Sequence, residues 1–289
     1  MATTEEVTTA SEHRLRWWKE ALIVVVFYAA YSATRNLFGS ARIDVAAGEL
    51  PENAFNNALR VIDLEKALGL YHELTVQQWF VPAASTLGEW WIRFWNVYYG
   101  TFHFVVTLAA FVLLFVRMPH RFARWRNTLG FMTALAIIGY SLFPLMPPRL
   151  LDKPAVEWGG AELRDARGLP PFGYVDTLEE YGGLWSFDSG AVAEISNQYA
   201  AMPSMHIGWA SWCVLALWPL ARRWWLRGIL VAYPLATLFC IVVTANHFWV
   251  DGVGGLAALG LGFVLGSALD RWNQRRLGRL PAAAVTSPG

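Results

Sequence analysis

Apolar residues gather into six long runs, near 20–37, 91–116, 127–145, 203–220, 226–245 and 248–268, separated by polar segments. A membrane-crossing helix needs about 20 mostly apolar residues. The pattern therefore predicts an all-α fold: a polytopic membrane helical bundle of six transmembrane helices. The first run is the weakest, because Arg35 sits close to its end. It follows Arg14, Arg16 and Lys19 and has no small-residue cleavage site, so it reads as a retained anchor. Between the first two runs, Leu59, Ile62, Leu64 and Leu68 recur at helical spacing. An extra interfacial helix on the outer surface and an ordinary amphipathic linker helix fit that pattern equally well. The segment 280–289 reads as disordered, and no internal repeat is visible.

Charge orients the runs. Arg117, Arg121, Arg124 and Arg126 follow the second run, and Arg222, Arg223 and Arg227 follow the fourth, with no acid among them. The C-terminal segment carries Arg271, Arg275, Arg276 and Arg279. Basic connections stay on the cytoplasmic side. With six spans, these regions and the basic N-terminus fall on that one side. The acidic connections then face outward: 38–90 holds seven Asp/Glu against three Lys/Arg, and 146–202 holds nine against four. The expected organisation is a cytoplasmic segment 1–19, a six-span catalytic domain 20–270 with outer loops 38–90 and 146–202, and a cytoplasmic tail 271–289. Loop 146–202 is rich in Gly, Pro and acids, and loops of that length serve as lids or stay unstructured.

Composition agrees with a membrane protein. The chain is 55% hydrophobic and 16% charged, against about 25% charged in soluble domains, and its mean hydropathy is +0.33. A net charge of +1 gives no pull toward nucleic acid. Cys213 and Cys240 lie in apolar runs with no disulfide or metal spacing, so they read as packing residues. The sixteen Trp read mostly as interfacial anchors. Gly262 and Gly266 form a small-x-x-x-small pair that suits packing within the chain.

Three polar clusters break the apolar pattern: Met146-Pro147-Pro148-Arg149-Leu150-Leu151, Met202-Pro203-Ser204-Met205-His206, and Thr244-Ala245-Asn246-His247-Phe248-Trp249-Val250-Asp251. The topology puts all three at one depth on the outer side, where ionisable groups are costly and usually functional. His247 and Asp251 are four apart and would share a helix face. The carboxylate would hold one imidazole proton and leave the other nitrogen as nucleophile or base. The second cluster opens a helix, with Pro203 in the first turn and a helix start suited to an anion. Ser204 adds a hydroxyl and His206 a second imidazole. Arg149 offers a planar fork for two phosphate oxygens. Taken singly, each cluster also fits a boundary histidine, a cap or a snorkelling arginine. Together they point to a phosphate ester. Asn96, Tyr99 and His103, in the outer half of the second run, either line a headgroup pocket or bond between helices.

At these residues the chain resembles the type 2 phosphatidic acid phosphatase superfamily. Pro203-Ser204-Met205-His206 is similar to its Pro-Ser-Gly-His motif, and His247-x-x-x-Asp251 to its closing His-x-x-x-Asp. Met-Pro-Ser-x-His and Thr-x-x-His-x-x-x-Asp resemble the inositol phosphorylceramide synthase-like (inositolphosphotransferase) branch, and the likeness covers roughly 90–270. The resemblance implies that His247 attacks phosphorus to form a phosphohistidine, with Asp251 orienting it. It makes His206 the acid and later the base, with Ser204 and backbone amides on the phosphoryl oxygens. It implies no metal and no other cofactor. Two cations of the general family are missing: Leu142 stands seven before Arg149 where the family has Lys, and Ile241 stands six before His247 where it has Arg. A site with fewer cations suits a phosphodiester or a transfer reaction. Arg35 or Arg93 are candidate substitutes.

The expected function is thus a lipid phosphotransferase or phosphohydrolase at the outer face of a bacterial plasma membrane. Its substrate would be a membrane phospholipid or lipid-linked phosphate ester, and its acceptor a lipid or sugar alcohol. A simple lipid phosphatase, acting on phosphatidic acid or a polyprenyl pyrophosphate, is the alternative. A metal-dependent hydrolase lacks a His-Glu-x-x-His signature, and a transporter lacks an inverted repeat.

Overall fold

The computed structural model describes residues 17–20, 22, 23, 25, 26, 29, 49–81, 86–154, 158–183, 198–276 and 278. The predicted first span, Arg35 and the segment 280–289 lie essentially outside these residues. Among them the fold is helical, with a single isolated bridge between Leu145 and Ala200 in place of any strand.

Five long helices build a bundle: α3 (Thr86–Arg117), α4 (Pro119–Leu142), α7 (Met205–Leu217), α8 (Trp224–Val243) and α9 (Trp249–Arg276). Four short helices cover one end of it: α1 (Glu52–Ala67), α2 (Glu73–Phe80), α5 (Gly160–Ala166) and α6 (Thr177–Tyr181). Among the described residues three helices are long and apolar enough to cross a membrane: Leu87–Arg117, Trp224–Val243 and Trp249–Arg276. Their outer faces leave large apolar side chains uncovered, such as Leu108, Leu235 and Leu261. Exposed apolar surface on that scale marks contact with lipid. The chain is an integral membrane protein.

The other predicted spans differ for visible reasons. The run at 203–220 is a shorter apolar helix, Met205–Leu220, whose last turn is a 3-10 helix containing Pro219. The run at 127–145 belongs to α4, whose first half is polar. There Arg124 Nε donates to Ser267 Oγ at 2.8 Å, and Arg126 pairs with Glu20.

Helix α9 sits at the centre and packs most extensively against α4. Glycines make the approach close. A Cβ on Gly262 would stand 2.8 Å from Met132 N, and one on Gly266 would stand 2.6 Å from Thr128 N. The small-x-x-x-small pair thus packs within the chain, as expected. Leu114, Phe122, Trp125, Met132 and Trp212 fill the bundle core nearby. Both cysteines are buried and unbridged in such clusters.

The segment 51–80 forms two helices, α1 and α2, rather than one. Their register also departs from the sequence pattern. Phe55, Ala58, Val61 and Ile62 face inward, whereas Leu64 and Leu68 are exposed. The buried face joins Leu145, Met146, Leu150 and Phe248 in a separate apolar cluster beneath the covering helices. That cluster anchors the segments carrying all three polar motifs.

Candidate active site

The third motif lies in the turn between α8 and α9. Thr244 closes α8, its Oγ1 donating to Cys240 O at 2.7 Å. Ala245 then adopts a left-handed backbone, φ 51. This is an uncommon conformation for a residue with a Cβ and is held here by its surroundings. The Ala245 N–H reaches Val242 O, and its carbonyl accepts from Arg149 N at 2.9 Å. The reversal delivers His247, whose N–H bonds Ile241 O.

His247 precedes α9 rather than sharing a helical face with Asp251, which corrects the spacing argument. The pair forms through capping instead. Asp251 is the third residue of α9, and its Oδ2 accepts the Phe248 N–H at 3.0 Å, as a capping-box acid does. The same oxygen lies 3.1 Å from His247 Nδ1. A carboxylate only accepts, so Nδ1 carries the proton and Nε2 keeps its lone pair. Both residues are buried.

The second motif meets the third directly. Ser204 is the cap residue of α7, with Pro203 just outside the helix rather than in its first turn. The Ser204 N–H donates to Asp251 O at 2.9 Å. Gly255 permits this, since a Cβ there would stand 2.2 Å from Ser204 O. Tyr140 Oη donates to Pro203 O at 3.1 Å and fixes the same turn to α4. The Ser204 hydroxyl is buried with no hydrogen-bond partner among the described residues.

Two residues along, in the first turn of α7, the ring of His206 lies 5.5 Å from that of His247, centroid to centroid. Its Nε2 is 3.3 Å from Tyr99 O. A carbonyl can only accept, so Nε2 bears the proton. Tyr99 stacks on the His206 ring at 4.3 Å and 19°. His103 meets the ring at 4.2 Å, edge to face, and its Nδ1 bonds the same Tyr99 carbonyl at 3.0 Å. Tyr99 and His103 therefore border the histidine pair.

Asn96 does not. Its amide donates to Thr177 O and Gly182 O at 2.6 and 2.8 Å, and its Oδ1 accepts from Thr177 Oγ1. It clamps α6, in the loop 146–202, onto α3. Arg93 is exposed and holds Tyr181 O in the same way.

Arg149 stands beside the turn with its guanidinium engaged on every side. Nε donates to Asn246 Oδ1 at 2.9 Å, Nη1 to Asp176 Oδ2 at 2.6 Å, and Nη2 to Gln198 Oε1. Arg149 and Asp176 are both buried. The fork expected to grip phosphate ties the loop 146–202 to the His247 turn. Asp176 in turn caps α6 through Leu178 N and Glu179 N.

Three buried residues had no place in the sequence reading. Gln77 joins α2 to Val175 and to Val243 O. Glu65 and Glu73 accept the N–H groups of Val250 and Trp249 at 2.9 and 3.2 Å. One signal was available for Glu65. It follows Val61 and Ile62 by four and three residues, so it occupies an inward position of α1.

A family model described as the PAP2 superfamily matches residues 59–265. That stretch contains Arg149, Ser204, His206, His247 and Asp251. The chain is 27% identical over 191 residues to the inositol phosphorylceramide synthase catalytic subunit aur1 of Schizosaccharomyces pombe. The match covers 63% of this chain and 41% of that relative, so the chain spans about two fifths of the relative's length. No solved structure matches the chain.

Proposed function

The chain belongs to the PAP2 superfamily, and on that premise we propose that it is a membrane lipid phosphotransferase or phosphohydrolase that works through a phosphohistidine at His247. The observation that carries this reading is the 5.5 Å approach of two imidazoles from distant motifs, one of them backed by a buried carboxylate.

The hydrogen bonds support the following steps. The Nε2 lone pair of His247 attacks phosphorus, and the P–O bond to the leaving alcohol breaks. His206 enters as the imidazolium: its Nε2–H stays on Tyr99 O, and the departing oxygen takes the second proton, the one on Nδ1. Asp251 holds the Nδ1 proton and stabilises the cationic ring as it forms. The incoming alcohol or water then gives its proton to His206 while its oxygen bonds phosphorus and the P–N bond breaks. The Ser204 hydroxyl, a buried donor without a partner, suits a phosphoryl oxygen. Tyr99 and His103 border the path to the phosphate. Arg149 acts here through the loop and the Asn246 side chain. A site with few cations suits a singly charged phosphodiester, and no metal or cofactor enters any step.

The relative's name makes a phosphoinositol headgroup and a lipid or sugar alcohol acceptor the first pair to test. The topology in this reading is six spans, with both ends cytoplasmic and the site at the outer face of a bacterial plasma membrane. The charge asymmetry of the connections supports that topology. Residues 20–270 form the catalytic domain, flanked by segments 1–19 and 271–289.

The test incubates purified protein with headgroup-labelled phosphatidylinositol and phosphatidic acid, with and without acceptor alcohols. Label moving to the alcohol, and lost in His247→Ala, is the expected result. Turnover by His247→Ala would sink the mechanism, and release of label to water despite acceptors would make the protein a hydrolase.

A further inference from the structure

Two fully buried glutamates lie outside the steps above. Glu65, near the end of α1, and Glu73, at the start of α2, are each 0% exposed. They take the N–H groups of Val250 and Trp249. These are the first two N–H groups of α9, which have no partner inside the helix. Asp251 takes the one before them, from Phe248. Three carboxyls from three elements thus cap one helix start, and His247 stands two residues before it.

The two glutamates accept consecutive N–H groups of one turn, so their carboxyls converge there. Each Oε2 is buried with no hydrogen-bond partner among the described residues. An ionised carboxyl can only accept, so two ionised neighbours cannot satisfy each other's free oxygens. One proton held between them would give those oxygens a donor. Three unprotonated carboxylates in one water-free site would also repel strongly. Burial, then the contact with Glu73, pushes the Glu65 carboxyl up to about 9. The ionisable groups facing the pair are Asp251 from α9, Tyr71 from the α1–α2 connection and Tyr174 from the loop 146–202. His247 lies behind Asp251, and Lys66 covers the Tyr71 ring.

We propose that Glu65 and Glu73 share one proton and act as positioning residues, locking the His247–Asp251 turn to the outer helices α1 and α2. The inference rests on the phosphohistidine reading, which makes the orientation of His247 rate-determining. With the shared proton in place, the pair holds two backbone N–H groups and adds one negative charge. Once the proton is lost, two carboxylates face each other beside Asp251. They part, and the turn loses its two outer caps.

Glutamine distinguishes this from plain structural support. In Glu65→Gln, Oε1 still accepts from Val250 and Nε2 donates to Glu73, so the contact survives with no proton to lose. The assay follows turnover of labelled phosphatidylinositol by the purified full chain across neutral to strongly alkaline pH. Wild-type kcat is expected to fall as pH passes about 9, and Glu65→Gln to keep kcat within about threefold at neutral pH and to lose that decline. Glu65→Ala is expected to lower kcat on the order of 10–100-fold with little change in KM, as when the group orienting a functional ligand is removed. If the alanine variant does not fold, Glu73→Gln gives the same comparison. A readout free of substrate is the infrared band of a buried protonated carboxyl, present in wild type at neutral pH and absent in Glu65→Gln. An unchanged alkaline decline in Glu65→Gln, or no such band in wild type, would overturn the inference. His247→Ala is run alongside: its activity alone decides the phosphohistidine reading.

Discussion

Arg149 Nη1 and Asp176 Oδ2 stand 2.6 Å apart with both side chains almost wholly buried. One residue flanks the His247 turn, and the other begins a helix of the loop 146–202. The pair therefore couples the outer loop to the site. Removing one partner of a buried pair strands the other charge, which costs about 3–5 kcal/mol. Asp176→Ala should lower the melting temperature in detergent markedly. Arg149→Lys should do nearly as much harm, because a point charge cannot serve Asp176, Gln198 and Asn246 together. A lysine variant with wild-type stability would show that the fork is dispensable.

The histidine pair makes a separate prediction about rate. His247→Ala and His206→Ala should abolish turnover while leaving the melting temperature within a few degrees. In Asp251→Asn the side chain still fits the first turn of α9 but no longer holds a carboxylate on Nδ1. Its kcat should fall by roughly 10²–10⁴, the scale of losing a carboxylate that fixes the tautomer of a reacting histidine. An acid-labile phosphoenzyme should be trapped in wild type and be missing in His247→Ala. Trapping it in the alanine variant would refute the assignment.

The three motifs were legible because ionisable residues inside apolar runs are conspicuous. His206, His247 and Asp251 needed only spacing and topology to be singled out. What escaped was the supporting shell. Spacing drew attention to Leu64 and Leu68, yet both are exposed, and the face packed against Leu145, Met146 and Phe248 is the one that carries Glu65 inward. The ties of Arg149 to Asp176 and Gln198 also escaped, since nothing in the sequence joins these residues across the loop. For Asn96 the sequence left a headgroup pocket and a bond between helices both open, and the structure shows the bond. Its partners, Thr177 and Gly182, lie about eighty residues away, and side-chain bonds at that range leave no periodic trace. Arginines in α4 blurred the third span. They are satisfied by Ser267 and Glu20, contacts that a hydropathy pattern does not see.

The α4–α9 seam predicts opposite effects for two alanines. Gly262→Ala would press its methyl against Met132 N and Thr128 O, at 2.8 and 2.9 Å in the present backbone. Backbone atoms cannot step aside as a flexible side chain can. The helices must separate, at a cost of about 1–3 kcal/mol. Gly130, in α4 but clear of the seam, would place a methyl with nothing inside 4 Å. Gly130→Ala should be neutral or stabilise by up to ~1 kcal/mol through helix propensity. Thermal unfolding of both variants tests this, and equal melting temperatures would show that the seam is looser than its geometry implies.

Stability should also depend on pH through Glu65. Its carboxyl titrates at about 9 in the folded chain, against 4.5 for an ordinary glutamate. Between those values the folded state holds a proton that the unfolded state has released. Folding stability is therefore fully present below the unfolded value and declines as pH rises toward the folded one. The cause is burial first, then the neighbouring Glu73. Glu65→Gln removes the titration and should flatten this part of the stability profile, so wild type loses more on going from mildly acidic to alkaline buffer. Chemical denaturation across that window, with both proteins in one detergent, measures the difference directly. Parallel profiles would mean that the two glutamates do not hold a proton between them.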